Sequence, residues 1–356
     1  MIADNNILAR NEYVFNIFLE KPITVSLLKE ALSGKPLLSL TTPNDDLQAG
    51  MDAGIFYMAS IQTMNQYKIK KRAMQARPSD LDSIRKTLRD DILYNTGRFE
   101  SWLLLGSCFS YIVEDDLTWT SDKISVPEKK KTVAHMQRKA ILCYLMALSL
   151  YYRMESPSAD DSNIIGRTFE ALGNELVSAY YKPMDRLAFS WKFSPNVLQL
   201  SVDKNIEESE TKEVMSISNF NIEQAIVLCF TRAGQYMNCI DKHNWWDDYN
   251  LGKMFFKIDQ KRYYQQAYDN ILKASHTCHS MSKKGKDPII EPHYYLVNIC
   301  YKMVSQDIIP PSQALELLSK DNGFLDQNSE FWTFQDSDDK SESKKILYRK
   351  IIILLK

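Results

Sequence analysis

The chain has 356 residues, 44% of them hydrophobic, which is enough apolar material for one large core or two smaller ones. Lys and Arg number 44 against 45 Asp and Glu, so the global charge excludes a protein that coats nucleic acid or an anionic membrane. The 12 prolines and 11 glycines are fewer turn residues than a β-sandwich or a dinucleotide-binding sheet needs. Composition therefore favours an all-helical protein.

The N-terminus lacks the basic segment and apolar run of a signal peptide, and no stretch reaches the roughly 18 uncharged apolar residues of a membrane helix. The cysteines are scattered through apolar runs, which is typical of reduced core thiols: Cys108, Cys143, Cys229, Cys239, Cys278 and Cys300. We therefore expect a cytosolic or nuclear protein. Because the sequence ends in the apolar run KKILYRKIIILLK, we also expect it to be a piece of a longer protein.

Apolar residues recur at three- and four-residue steps along most of the chain, which predicts a succession of helices. The first long one covers 47–74, and Ser79 with Asp82 predicts the cap of the next, which reaches Tyr94. Further helices are predicted near 98–113, 133–154, 162–181, 219–241, 245–258, 260–281, 291–306 and 311–320. A strand in VLQLSV (197–202) stays open as an alternative.

The organising pattern is an internal repeat. A tetratricopeptide repeat (TPR) pairs a helix reading aromatic-x2-Leu-Gly-x2-aromatic with one reading Ala-x3-aromatic-x2-Ala. The first match comprises Trp102, Leu105, Gly106 and Phe109, followed by Ala140, Tyr144 and Ala147. The second comprises Phe169, Leu172, Gly173 and Leu176, followed by Ile226, Phe230 and Ala233. The third comprises Leu251, Gly252 and Phe255, with Asp248 at the aromatic position, followed by Ala267, Ile271 and Ala274.

These spacings place each set on one helical face, where Gly and Ala let two antiparallel helices approach closely. Each hairpin leaves an apolar face that must stack on its neighbours. The predicted fold is therefore all-α, with TPR-like helical hairpins stacked in a solenoid and long loops between paired helices. An irregular helical bundle that meets the spacings by chance is the alternative.

Four sections are predicted along the chain. They are an N-terminal segment with a short helix (1–46), a first helical-repeat section (47–181) with a loop at 114–132, a loop insertion (182–218), and a second helical-repeat section (219–356) that continues beyond the chain. The insertion carries an acidic stretch of Glu207, Glu208, Glu210 and Glu213. Because long insertions in solenoids often carry function, we take Glu114, Asp115, Asp116 and Trp119 in the first loop as candidate partner-binding residues. The alternative is that the charged residues are only solvated, and that Trp119 and Trp191 only anchor their loops to the helices.

The sequence carries no recognised catalytic or metal-binding motif. The sequence has no phosphate loop, no nucleophile elbow and no Gly-x-Gly-x2-Gly fingerprint. His276, Cys278 and His279, with Cys239 and His243 upstream, lack the Cys-x2-Cys pair of a zinc site. The basic cluster Lys68, Lys70, Lys71, Arg72 and Arg77 lies at a helix C-terminus, where the helix dipole favours cations, so it does not require DNA. We predict neither an enzyme nor a cofactor.

One stretch resembles a known family. RFESWLLLGSCFSYIVEDDLTWTSDK (98–123), followed by RKAILCY (138–144), is similar to the helical-repeat subunit of the HIR histone chaperone complex, the fungal counterpart of the animal calcineurin-binding cabin protein. LGKM (251–254) and EPHYY (291–295) are also similar, so the likeness covers residues 50–305.

The resemblance implies a nuclear scaffold in a complex that deposits core histones independently of replication and represses histone genes. It implies WD-repeat subunits of that complex as partners, with core histones contacted directly or through those subunits. It implies no membrane partner and does not favour nucleic acid. The repeat pattern alone also fits a general TPR-type adaptor that binds peptide segments outside chromatin.

Overall fold

The computed structural model describes residues 2–43, 48–119, 126–192, 213–238, 245–282, 289–321, 329–332 and 340–354. They form two compact units, Met1–Ile222 and Glu223–Lys356. The described residues are helical apart from short connections and two three-residue strands, so the predicted all-α fold is confirmed. Stacking of the whole chain in a solenoid stays a prediction.

Most helices lie where they are predicted, although the predicted helix 47–74 is interrupted and α6 and α7 extend into the predicted loop between them. Those of the first unit are α1 (Ile2–Leu19), α2 (Val25–Leu32), α3 (Gln48–Asp52), α4 (Ile55–Arg72), α5 (Pro78–Tyr94), α6 (Phe99–Trp119), α7 (Pro127–Tyr151) and α8 (Ala159–Tyr180). The unit boundary falls within α9 (Asn219–Asn238). The helices that follow are α10 (Trp245–Ile258), α11 (Gln260–Ser282), α12 (Glu291–Ser305), α13 (Pro311–Ser319), α14 (Ser329–Trp332) and α15 (Lys340–Leu354).

Helix starts follow local capping chemistry. The Ser158 hydroxyl oxygen accepts a hydrogen bond from the Asp161 amide at 3.1 Å, and the Asp161 carboxylate accepts one from the Ser158 amide at 2.8 Å. Helix α8 therefore begins with a capping box. The predicted cap at Ser79 is wrong by two residues. Helix α5 begins at Pro78, and the Arg77 amide donates to Asp80 Oδ2 at 3.1 Å. Proline at the first helical position loses no hydrogen bond, which explains the earlier start.

The predicted helix 47–74 is interrupted. Gly54 has a left-handed φ of 81° and separates α3 from α4. The break leaves carbonyls at the end of α3 without helical partners. Arg98 supplies donors to these carbonyls, because its Nη2 donates to Met51 O at 3.0 Å and to Asp52 O at 2.9 Å. The same guanidinium pairs through Nη1 with the fully buried Asp91 at 2.8 Å, so one side chain joins α3 to α5 just before α6 begins.

The predicted short N-terminal helix is an 18-residue helix, α1. Its first half reads IADNNILARN, which gives little apolar periodicity. Its stability comes from tertiary packing, because Phe15 and Phe18 place their rings 5.5 Å and 5.7 Å from that of Trp102.

Helix α7 is the centre of the first unit. Residues 140–151 are all buried, as expected for a helix that is covered on every side. It packs against α1, α2, α6 and α8, while α4, α5 and α6 contact one another in succession. The first unit thus has the enclosed centre of a helical bundle.

The insertion 182–218 contains the only strands among the described residues, β1 (Ser190–Lys192) and β2 (Glu213–Met215), which pair antiparallel with Trp191 opposite Val214. The Trp191 ring lies 5.4 Å from the Arg138 guanidinium of α7, which also donates to Ser190 O at 2.7 Å. Trp191 therefore holds this hairpin against α7. Residues 197–202 and Glu207, Glu208 and Glu210 lie outside the described residues, as does the side chain of Glu213.

The second unit is built from sequential neighbours. Helix α10 packs on α11, α11 on α12, and α12 on α13, and α15 covers α12 and α13. The core contains Phe256, Ile271, Cys300 and Leu318, each at most 2% exposed. This order of contacts is typical of helical-hairpin repeats.

The cysteines within the described residues are all buried and unpaired: Cys108, Cys143, Cys229, Cys278 and Cys300. Burial raises the pKa of Cys108 and Cys300 to about 12 and that of Cys278 to about 11. These thiols therefore stay protonated at neutral pH. Cys239 lies outside the described residues.

Of the helices that the structure describes, none is both long enough and apolar enough to cross a membrane.

Trp102 should be a main contributor to the stability of the first unit. It is 0% exposed and contacts two rings of α1, so Trp102→Ala should lower the free energy of unfolding by about 3–5 kcal/mol through the cavity it leaves. Tyr13→Ala is the control, because Tyr13 lies on α1 but is 67% exposed. Urea unfolding measures both variants, and equal stability of the two would contradict this packing.

Two glycines of the second unit give opposite expectations. A Cβ at Gly252 would lie 2.6 Å from Ile271 Cγ1 and 2.9 Å from the Ala267 carbonyl oxygen, whereas a Cβ at Gly234 meets nothing within 4 Å. Gly252→Ala should therefore cost about 1–3 kcal/mol of stability by overpacking. Gly234→Ala should add up to about 1 kcal/mol, since alanine is the better helix former. Thermal melting of both variants tests the close approach, and a stabilised Gly252→Ala would refute it.

Candidate protein-interaction surface

The first predicted repeat lies on α6 and α7, two helices that pack along each other. At the contact, a Cβ on Gly106 would come within 2.7 Å of Tyr144 Cε1 and 3.2 Å of Cys143 Cβ. Leu105 and Phe109 on α6, and Ala140 and Ala147 on α7, are buried. The glycine thus lets the Tyr144 ring lie against the α6 backbone.

The two aromatic residues of this repeat face helices other than α7. The Trp102 ring contacts α1, as described above, and the Phe109 ring lies 5.6 Å from the Arg85 guanidinium of α5. Neither α1 nor α5 belongs to the predicted hairpin. The repeat spacing therefore predicted which residues of α6 are buried but not which helices they contact.

The third predicted repeat lies on α10 and α11 and has the same close contact, Gly252 on Ile271. Ala267 and Ala274 are fully buried, while Leu251 and Phe255 are half-buried. Asp248, which occupies the aromatic position, is buried and pairs with Lys273 Nζ of α11 at 3.4 Å. An ion pair between the two helices therefore replaces the aromatic contact.

The second predicted repeat is divided. Phe169, Leu172, Gly173 and Leu176 are buried on α8, which packs on α7 in the first unit. Ile226, Phe230 and Ala233 are buried on α9, beyond the boundary, in the second unit. The two halves of this repeat thus fall in different units, and the hairpin between them stays a prediction.

The predicted loop at 114–132 is shorter than expected. Helix α6 continues to Trp119, so Glu114, Asp115 and Asp116 lie on its last turns. Lys71 Nζ lies 2.8 Å from Glu114 Oε2 and 3.0 Å from Asp115 Oδ1, and Lys129 Nζ lies 2.6 Å from Asp116 Oδ1. Basic partners on α4 and α7 neutralise these carboxylates, which lets the helix continue through an acidic run. The Trp119 side chain lies outside what the structure describes.

Asp115 is tied down more firmly than its neighbour Glu114. The Tyr67 hydroxyl donates to Asp115 Oδ2 at 3.0 Å, and burial together with this carboxylate raises the pKa of Tyr67. Burial acts to lower the pKa of Lys71, but its hydrogen bonds to Glu114 and Asp115 raise it overall. The Glu114 side chain is 59% exposed against 21% for Asp115. Asp115 thus joins α6 to α4, while Glu114 faces solvent.

A Ser–His–Asp cluster in the second unit was missed from the sequence. Ser275 on α11 and Asp321 after α13 both approach Nδ1 of His293, at 3.1 Å and 2.7 Å, and Ser275 also donates to Asp321. A hydrolytic triad needs the serine and the carboxylate on opposite ring nitrogens. The cluster therefore ties three elements of the unit together and does not activate Ser275.

The metal-like residues do not assemble among the described residues. His276 Nε2 lies 3.1 Å from Lys320 O, and Cys278 is a buried thiol. No group of three or more His, Cys, Asp or Glu that could hold a metal occurs in the described part of the chain. Cys239 and His243 lie outside it.

A groove of about 560 Å³ lies between α6 and α8, with α7 beneath it. Its lining residues come from Ser107 to Thr118 on α6, from Tyr144 on α7, and from Ala171 to Ser178 on α8. We call this the α6–α8 groove. Glu114 lies among its lining residues, so the exposed candidate carboxylate and the groove form one surface.

A buried carboxyl group, Glu175 of α8, lies in the floor of this groove and is 5% exposed. Ser110 Oγ donates to Glu175 Oε2 at 2.5 Å, and Tyr144 Oη lies 2.9 Å from Ser110 Oγ. Because the serine proton is directed to Glu175, the tyrosine hydroxyl donates to the serine. Burial raises the pKa of Glu175 to about 7, although the Ser110 hydroxyl and the neighbouring Gln137 amide act to lower it. Glu175 was not predicted from the sequence, and the signal that could have indicated it is a carboxylate within the apolar face of Phe169, Leu172 and Leu176.

Glu175 should make stability depend on pH. Its pKa in the folded chain, about 7, lies above the ordinary 4.5, so the folded state holds its proton more tightly than the unfolded state. The stabilisation that comes from this tighter proton binding is complete below the ordinary pKa and is lost as pH rises through about 7. The free energy of unfolding should fall by up to about 3 kcal/mol over this range. Glu175→Gln carries no ionisable group and should remove this loss. Urea unfolding of both proteins between about pH 5 and pH 8 measures it, and parallel pH profiles would contradict the assignment.

Comparison with known proteins gives a consistent family. Residues 1–237 match the HIR3 helical bundle domain, and residues 266–346 match the HIR3 TPR domain. Proteins named Histone transcription regulator 3 homolog are similar over 99% of this chain: 41% identical in Kluyveromyces lactis, 42% in Eremothecium gossypii and 39% in Candida glabrata.

The match covers 21% of the Kluyveromyces lactis protein and 22% of each of the other two, so the chain spans about a fifth of the length of the curated relatives it matches. The match to the bundle domain includes the first unit with its buried α7 and continues to residue 237 in α9, whereas the match to the TPR domain lies within the second unit. By these matches the chain belongs to the HIR3 family.

Proposed function

We propose that this chain is a protein-binding scaffold segment of a HIR-type histone chaperone complex in the nucleus. The complex would act in replication-independent nucleosome assembly and in repression of histone genes. The observation that carries the proposal is similarity over 99% of the chain to relatives named histone transcription regulators. The role of the whole protein is part of the proposal, since the chain spans about a fifth of those relatives.

The physical character of the chain supports a scaffold role. The chain folds into two helical units with buried cores, and TPR-like hairpins bind segments of other proteins. The one Ser–His–Asp cluster in the described residues has the wrong geometry for nucleophilic catalysis. We therefore propose a role that is not catalytic, in which the helical hairpins of section 219–356 contribute to a solenoid in the longer protein.

For the partner we propose a WD-repeat subunit of the complex, with core histones reached directly or through that subunit. We place the contact at the C-terminal end of α6, where Glu114 is exposed and borders the α6–α8 groove. Asp115 and Asp116 would act by fixing this helix end through Tyr67, Lys71 and Lys129. Similarity to histone transcription regulators favours this reading over a general adaptor outside chromatin.

Single substitutions separate binding from folding at this end of α6. Glu114→Ala removes an exposed charge and should change the free energy of unfolding by less than about 0.5 kcal/mol while it weakens capture of the WD-repeat subunit from nuclear extract. Asp115→Ala leaves Tyr67 without its acceptor and should cost about 1–3 kcal/mol. Capture by the immobilised full chain should also fall as salt is raised.

Glu155→Ala is the matched control, because it removes the same charge from an exposed position between α7 and α8. Undiminished capture by a folded Glu114→Ala variant would exclude the α6 end as the contact. Absence of any HIR-type subunit from the parent chain's captured proteins would reject the proposed function itself.

A further inference from the structure

The floor of the α6–α8 groove holds an unsatisfied acceptor. Glu175 Oε2 accepts from Ser110, but Oε1 is buried and has no hydrogen-bond partner in the described structure. A buried carboxylate oxygen without a donor costs free energy, and glutamine would fill the same space without a charge. Packing alone therefore does not explain why a carboxyl group occupies this position.

The hydrogen bonds below Glu175 fix its surroundings and leave the remaining oxygen for another group. Tyr144 and Ser110 form a chain of hydroxyls that ends on Oε2. The Gln137 amide donates one of its two protons to Ser178 Oγ at 3.1 Å, and its second proton makes no hydrogen bond to Oε1. The last torsion of a glutamate side chain is broad, so a small tilt of the carboxylate plane can bring Oε1 towards the groove while Oε2 keeps its hydrogen bond from Ser110.

The charge of the groove is negative. Its lining includes the two carboxylates Glu114 and Glu175 and no Lys, Arg or His among the described residues. Lys71 pairs with Glu114 at the rim and lies 4.6 Å from the Tyr111 ring, but it does not line the floor. The one charge at the floor is therefore an acidic one.

The shape of the groove suits a long side chain with a cationic end. Val113 and Leu117 on α6 and Ala171 on α8 provide apolar walls that can cover a hydrocarbon stem. Ser107, Thr118 and Ser178 add hydroxyl acceptors to the lining. Arginine has five donors in a planar fork and is more weakly hydrated than lysine, so it suits a partly buried site with several acceptors.

We propose that the α6–α8 groove binds an arginine side chain from a basic segment of a partner protein, with the Glu175 carboxylate as its ion-pair partner. The proposal rests on the proposed function of the chain as a protein-binding scaffold, and it names the chemistry of one partner. The guanidinium would donate to Glu175 Oε1, and its stem would lie between α6 and α8.

Fluorescein-labelled hexa-arginine is the probe, and its anisotropy with the full chain is measured at low salt and about pH 8, where Glu175 is mostly ionised. Glu175→Gln should weaken the affinity about tenfold or more, because it removes the charge and keeps the acceptor for Ser110. Ala171→Leu should also weaken it, because the added atoms narrow the groove without a change of charge. Hexa-citrulline should not bind, and hexa-lysine should bind more weakly.

Glu155→Gln is the matched control for charge, and its affinity should stay within about twofold of the parent's. Thermal melting confirms that each variant is folded. An affinity of Glu175→Gln equal to the parent's would overturn the proposal, as would an equal loss in Glu155→Gln, which would indicate diffuse attraction. Hexa-lysine that binds as tightly as hexa-arginine would overturn the assignment of arginine.

The peptide measurements involve no subunit of the complex, so their failure leaves the proposed function standing. If the chain binds hexa-arginine as expected but captures no HIR-type subunit, the result would count against the proposed function and not against the arginine site.

Discussion

The ring of Tyr144 can lie against the backbone of α6 because residue 106 has no side chain, and much of the first unit depends on this contact. Ser110 follows one helical turn after Gly106 on the same face, so the Tyr144 hydroxyl reaches it at 2.9 Å. The serine in turn donates to Glu175 of α8. The absence of one methyl group at a helix crossing thus sets the separation of α6 and α7 and the polar floor of the groove beside them.

The same constraint recurs in the second unit with different chemistry around it. Gly252 lets Ile271 approach α10, and the ion pair of Asp248 with Lys273 stands where the repeat pattern expects an aromatic ring. In the first unit, the Arg98–Asp91 pair joins helix ends that the break at Gly54 has left open. In both units, close contacts at glycine define the helical hairpins. Ion pairs with a buried carboxylate make further connections between helices that the repeat pattern does not predict.

The sequence predicted what depends on local spacing and missed what depends on distant contacts. Helix α6, helix α7 and the glycine contacts follow from apolar residues at three- and four-residue steps. The length of α1 was missed because Phe15 and Phe18 find Trp102 far along the chain. The α6 extension was missed because the lysines that neutralise its carboxylates lie on α4 and α7. The division of the second repeat was missed for the same reason, since spacing within helices says nothing of which unit each helix joins.

The buried cysteines have a practical consequence. Since burial keeps them protonated and covered, a thiol reagent can reach them only when the surrounding helices separate. Cys108 and Cys143 belong to the first unit, and Cys229, Cys278 and Cys300 to the second. Alkylation rates mapped by mass spectrometry would therefore report the opening of each unit separately in the unmodified chain. The two halves of this scaffold thus carry natural labels for asking whether they unfold together or in turn.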